Sequence, residues 1–300
     1  MVENDTPVVL DNVTKKFGAT TAVRSVTWTP RRGQVTALVG LNGAGKSTLM
    51  RIMTGLIAPT EGSVSVAKRK DGRALSAMIE APALFNGLTV RRNLNIHRVL
   101  TGADAPDVAS VAKLAQVDEV LGRRAGALSQ GYRQRVAIAQ ALLHAPDVLL
   151  LDEPTNALDP EAIVQLRSLI RTVADRGAAV IVSSHQLREL EGTADALVLL
   201  HDGQVRYDGP FASFVGPPTL RIRAAGPQDN TRLADVLRAE QIDARLGADG
   251  LRAEAGSAAD DTAQRIFTAA VKADIELVEL THLAPTLEEA FHTAIAGARS

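Results

Sequence analysis

Residues 40–48 read Gly-Leu-Asn-Gly-Ala-Gly-Lys-Ser-Thr, and their types suit them to holding a polyphosphate. Gly40, Gly43 and Gly45 let the backbone bend until its N–H groups point inward at phosphate oxygens. Lys46 brings a mobile positive charge that can reach the β- and γ-phosphates, and Ser47 offers a hydroxyl to Mg²⁺. The spacing fits the G-x-x-x-x-G-K-[ST] phosphate loop. Asn42, Ala44 and Thr48 lie in the same loop and are counted with it as nucleotide-binding residues.

A second group follows in order. Val148–Leu151 is an apolar run that ends in Asp152, Glu153 and Pro154. A buried strand there would hold both carboxylates at its carboxyl end, where open α/β sheets place their ligands. Asp152 suits the magnesium shell, and Glu153 suits the polarisation of a water for in-line attack on the γ-phosphate. A third group, Leu128-Ser129-Gln130-Gly131-Tyr132, precedes an apolar helix. Ser129 can act as its N-cap, leaving a hydroxyl and N–H groups free for an anion.

These groups need rigid elements behind them. Gln34–Val39 reads as a buried strand leading into the phosphate loop, and Ser47–Met53 as the helix after it. Val8–Leu10 and Ala22–Trp28 read as short strands, as do Ser63–Ala67 and the end of Ala74–Glu80. Val108, Val111, Leu114 and Ala115 share a helical face, as do Val136, Ala139, Leu142 and Leu143. Asp159, Pro160 and Gly177 bracket a further helix before the strand Val180–Ser183. Val198–Gly209 reads as a hairpin around Asp202-Gly203. Alternating strand and helix predict a mostly parallel α/β sheet. After the linker Gly216-Pro217-Pro218 the order strand, helix, two strands, helix, strand, helix predicts a small α+β unit.

Composition narrows the function classes. The chain has 300 residues, a net charge of −1 and no cysteine. No global field draws it to nucleic acid, and no nucleic-acid partner is expected; the basic pairs, including Lys68-Arg69-Lys70, read as solvated surface. Disulfides and thiol catalysis are excluded. No apolar run approaches the roughly 20 residues of a membrane helix, and the polar start Met1–Pro7 shows no secretory signal. If the chain serves a membrane process, another chain crosses the bilayer.

Together these motifs resemble the nucleotide-binding subunit of an ATP-binding cassette (ABC) transporter, over residues 7 to about 215. The resemblance implies a P-loop NTPase fold, with a RecA-like core, an antiparallel β subdomain and a helical subdomain, plus the small C-terminal α+β domain. The expected domains are 1–215, with the helical insert at about 82–144, and 216–300. It further implies ATP and Mg²⁺ as cofactors, with Ser47, Glu80 and Asp152 at the metal. Phe17 matches the aromatic that stacks on adenine, with Val23 beside it. Leu128–Tyr132 matches the family signature, Ala157-Leu158-Asp159 the D-loop, and His185 the switch histidine that reads the γ-phosphate. Glu153, His185 and Glu80 are the expected catalytic group.

Two departures matter. The signature carries Gln130 for its first glycine and Tyr132 for its terminal glutamine, while Ser129 and Gly131 are kept. Glu80 stands where most relatives have glutamine, as in ATPases of bacitracin- and lantibiotic-type export. A carboxylate there binds a metal more strongly than an amide and also repels the γ-phosphate. Pro285–Phe291 resembles the tail of drug- and antibiotic-exporting ATPases.

The resemblance therefore implies a homodimer of ATPase subunits, cytoplasmic and held on the inner face of the membrane by a separate permease. Leu84-Phe85 is either a permease-docking pair or a core pair. An importer subunit and a soluble non-transport ABC ATPase stay open as alternatives. About 80 residues between Thr48 and Leu128 leave no room for the long coiled coil of chromosome-type relatives.

Overall fold

The computed structural model describes residues 6–67, 74–80, 82–101, 107–143, 145–156, 158–215, 219–247, 250–254, 259–283 and 286–296. The linker Gly216-Pro217-Pro218, the run Lys68-Arg69-Lys70, Ala157 and Pro285 lie outside them. The chain divides into two compact units, Met1–Phe211 and Ala212–Ser300. Phe211, the last residue of the first unit, donates its N–H to the Asp195 carbonyl at 2.9 Å.

The first unit runs β1 (Val8–Phe17), β2 (Thr20–Trp28), β3 (Val35–Val39), α1 (Lys46–Met53), β4 (Glu61–Val66), β5 (Leu75–Met78), α2 (Val90–Thr101), α3 (Val108–Leu114) and α4 (Gln130–Leu142). It continues with β6 (Val148–Leu151), α5 (Pro160–Asp175), β7 (Ala179–Ser184), β8 (Ala196–His201) and β9 (Gln204–Pro210), and α6 (Phe211–Phe214) starts at its end. A six-stranded sheet has the order β5-β6-β7-β3-β8-β9. Its first five strands are parallel, and β9 closes the edge antiparallel through the Asp202-Gly203 hairpin.

The sequence explains this layering. Every residue of β3 and β6 is buried, as expected for strands covered on both faces. A second, antiparallel sheet, β2-β1-β4, packs its apolar side into the same core, where Leu10, Val26 and Trp28 meet Leu49, Met50 and Leu150. β1 does not stop at Leu10. It continues to Phe17 because Asn12 adopts a positive φ and register shifts absorb the irregularity. Helices α2, α3 and α4 form the insert. Asp107 caps α3 through the Ala109 N–H, and Asp159 caps α5 through the Ala162 N–H at 2.8 Å.

The second unit runs β10 (Thr219–Ala224), α7 (Pro227–Ala239), β11 (Ala244–Gly247), β12 (Gly250–Glu254), α8 (Ala259–Lys272), β13 (Leu277–Leu283) and α9 (Leu287–Ala296). Its antiparallel sheet has the order β11-β12-β10-β13, the split βαβ arrangement of ferredoxin-like domains. Leu220, Ile222 and Leu251 form its core with Leu233, Leu237 and Ile266 from the two helices. Thr286 and Glu289 make a reciprocal capping box at the start of α9. Among the described residues no helix is long and apolar enough to cross a membrane.

Candidate active site

The phosphate loop hangs between β3 and α1, at the carboxyl edge of the parallel sheet. Gly45 ends the loop as N-cap of α1 with φ +105°. A side chain there would strike the carbonyl oxygen of Ala22, and one at Gly40 would strike that of Leu200. Both positions therefore require glycine. Asn42 stands exposed at the loop tip, and Thr48 is half-buried in the first turn of α1. Ala44 is buried; its N–H closes the loop on Leu41 at 3.0 Å, and its carbonyl accepts the Gly203 N–H at 3.1 Å. The Lys46 ammonium, itself buried, donates to the Gly40 carbonyl at 2.8 Å and lies 3.7 Å from Glu153 Oε1. Burial pushes its pKa below the usual lysine value, against the opposing pull of Glu153 and Asp152.

The loops after β6 and β7 bring their groups to the same edge. Ser183 Oγ donates to Asp152 Oδ1 at 2.6 Å and accepts the Glu153 N–H at 2.8 Å. One fully buried hydroxyl thus locks both acidic residues. Glu153 has a positive φ of 46°, rare for a residue with a side chain. Ladder and hydroxyl together hold this strained turn, as functional sites commonly do. Asn156 Nδ2 donates to Glu153 Oε2 at 2.6 Å, and His185 Nδ1 lies 3.3 Å from the same oxygen without hydrogen-bond alignment. Glu153 therefore faces Lys46, Asn156 and His185 together.

Glu80, after β5, also has a positive φ of 68°, and its carboxylate pairs with Arg51 of α1. Ser47, Glu80, Gln130, Gln134, Asp152, Glu153 and Asn156 line one cavity of about 460 Å³. Gln130 thus reaches its own chain's site, although the sequence groups it with Ser129 and Gly131 as part of a signature. Ser129 caps α4, accepting the Tyr132 N–H at 3.4 Å, and is exposed. Gly131 packs close to Ala162 of α5, where a side chain would crowd. Tyr132, in place of glutamine, bonds through its hydroxyl to Glu119 and stacks on Arg135, 4.4 Å from the ring centre.

Two sequence readings change. Val23 is fully buried in the core between the sheets, so its side chain supports β2 and offers no surface to a base. Phe17, by contrast, is half exposed at the end of β1, with the Lys15 ammonium 5.1 Å from its ring centre. Phe85 is 57% exposed, which excludes the core reading. Buried Asn93 fixes its loop, accepting the Phe85 N–H at 2.8 Å and donating to the Phe85 and Thr89 carbonyls.

Ser183, Arg51, Asn156 and Gln134 are site residues that motif reading missed. Ser183 had a signal: a hydroxyl ending an apolar strand that lies beside the strand ending in Asp152.

The family model described as ABC transporter matches residues 23–156. The lantibiotic transport ATP-binding protein SrtF of Streptococcus pyogenes is 34% identical over 208 residues, covering 67% of this chain and 91% of that protein. The bacitracin transport ATP-binding protein BcrA of Bacillus licheniformis is 34% identical over 209 residues, covering 67% and 68%. Among solved structures, the dimeric ATP-binding cassette MJ0796 in a post-hydrolysis state with ADP and Pi superposes with a TM-score of 0.60 at 27% identity, covering 68% of this chain and 98% of that one.

Proposed function

The chain belongs to the ABC transporter family of ATP-binding subunits, and from that premise we propose that it hydrolyses Mg-ATP to drive export of peptide antibiotics through a separate membrane permease. The observation that carries the reading is the convergence of Lys46, Asn156 and His185 on Glu153, beside Ser47 and Asp152. Phe17 stacks on the adenine. The phosphates lie in the loop, on the N–H groups of α1.

The donors suit Mg²⁺, which takes one or two carboxylates and keeps phosphate oxygens and waters in its shell. The Ser47 hydroxyl and the Asp152 carboxylate are such a set. Held there, the ion would supply neutralising charge to the phosphates. Glu153 accepts the proton of the attacking water as its oxygen bonds to the γ-phosphorus. The bond to the β–γ bridging oxygen breaks, and ADP leaves with the negative charge. His185 reports the γ-phosphate to the same carboxylate. Glu80, neutralised by Arg51, adds less repulsion toward the γ-phosphate than a free carboxylate would.

Each chain holds half of a site in this reading. Ser129 and Gly131, exposed or half-exposed at the start of α4, complete the site of a second copy. The peptide-export assignment rests on the SrtF and BcrA likenesses and on Glu80, which matches that group of ATPases. The test is peptide resistance in cells that express the chain with the membrane protein that co-purifies with it. Resistance to a lantibiotic or to bacitracin should rise, and Glu153→Gln should abolish the rise. A partner that imports a nutrient instead would refute export.

The permease-docking surface is proposed at exposed Phe85 and at exposed Leu56, which lines a cavity of about 380 Å³ with Ile79, Ala83 and His97. Phe85→Asp should leave the melting temperature and ATP affinity within experimental error, since exposed substitutions cost about 0.5 kcal/mol or less. Pull-down of the permease should fall below detection. Normal pull-down by a well-folded Phe85→Asp chain would refute this surface.

A further inference from the structure

Gln134 lies one turn beyond Gln130 on α4, so the two side chains share a face. Both line the cavity that Ser47, Asp152 and Glu153 line. Gln134 is only 4% exposed, yet its amide has no hydrogen-bond partner among the described residues. The amide is nevertheless not sealed from solvent, so it is free to meet a ligand in the cavity. Asp152 Oδ1 is taken by Ser183 and Glu153 Oε2 by Asn156. The side chain lines the cavity where the proposed nucleotide lies.

We propose that Gln134 is a positioning residue whose amide hydrogen-bonds the γ-phosphate of the nucleotide in its own chain's site, directly or through a water held on that phosphate. This rests on the Mg-ATP reading above. It has a consequence for coupling, because Ser129, Gln130 and Gly131 stand at the start of the same helix. A γ-phosphate bound in one site orients α4 through Gln134, and α4 presents Ser129 and Gly131 to the other copy. ATP and ADP then differ in how firmly they set that presentation.

Gln134→Met keeps the length and removes the amide. Without nucleotide its melting temperature should stay close to that of the unmodified chain, because the amide has no hydrogen bond among the described residues to lose. Its dissociation constant for Mg-ATP, from displacement of a fluorescent nucleotide, should rise about tenfold, the loss of one charge-assisted hydrogen bond. Affinity for Mg-ADP, which lacks the γ-phosphate, should stay unchanged. ATP-induced hydrogen-exchange protection in the first turns of α4 should disappear as well.

Unchanged ATP affinity, or an equal loss for ATP and ADP, would overturn the proposal. So would a lower melting temperature without nucleotide, which marks a purely structural role. If Gln134→Met does not fold, isosteric Gln134→Glu gives the same comparison. It should lower ATP affinity more than ADP affinity, and an unchanged ratio would count against the proposal. Lys46→Ala separates the two failures. If it keeps nucleotide affinity, the site reading itself falls. If it loses affinity while Gln134→Met behaves as the unmodified chain, only the role of Gln134 falls.

Discussion

Glu153→Gln is expected to bind Mg-ATP as tightly as the unmodified chain and to release phosphate roughly 10²–10⁴ times more slowly, the range for loss of a general base. The substitution keeps the shape that the turn requires. The N–H bond to Ser183 is a backbone contact and survives, so Asp152 stays locked. An amide at 153 can still meet Asn156, His185 and Lys46 by flipping, but it takes no proton from a water. Binding and chemistry should therefore separate: full ATP-induced stabilisation with almost no turnover. Phosphate release at the unmodified rate would remove Glu153 from the role of base. Loss of binding along with turnover would mean that its charge serves mainly to hold Lys46.

Lys46→Ala is expected to have the complementary effect, failing at binding. The ammonium is the one mobile cation in the loop, and the surrounding protein already lowers its pKa through burial. A site that tolerates this desolvation gains when an anion arrives. ATP at 100 times its dissociation constant should stabilise the unmodified chain by about 2.7 kcal/mol. For a unit of this size that is roughly 5–11 °C in melting temperature. Lys46→Ala should show almost none of this shift. It should also melt somewhat lower without nucleotide, since Glu153 loses a neighbour and the Gly40 carbonyl loses its donor. An undiminished ATP-induced shift would refute the assignment of the loop.

The parts of the site legible in the sequence are those that local chemistry specifies. The phosphate loop is a run of nine residues whose glycines are demanded by backbone collisions at Gly40 and Gly45. Asp152 and Glu153 follow an apolar strand, and His185 follows another. Buried parallel strands announce themselves by composition, and their carboxyl ends share one edge. The α+β order of the second unit was visible for the same reason, through alternating periodicities and turn residues.

What escaped notice depends on contacts between distant segments. Arg51 meets Glu80 only because α1 and the loop after β5 approach each other. Asn156 and Gln134 carry no motif of their own, and one cavity collects them. Val23 is expected beside Phe17 because the family resemblance implies it. The side-chain direction on β2, set by the sheet's packing, sends it into the core instead. The length of β1 was similarly hidden, since the positive φ at Asn12 and the register shifts are invisible to alternation counting.

In the proposed mechanism each chain holds half of two shared sites, closed when ATP joins two copies. The most direct measurement is the molar mass of Glu153→Gln by light scattering, with and without Mg-ATP. Mg-ATP should double the mass with one ATP bound per chain, and adding Ser129→Arg to the same chain should prevent the doubling. One ATP bound per chain with the mass unchanged, or a doubling that Ser129→Arg leaves intact, would contradict the mechanism.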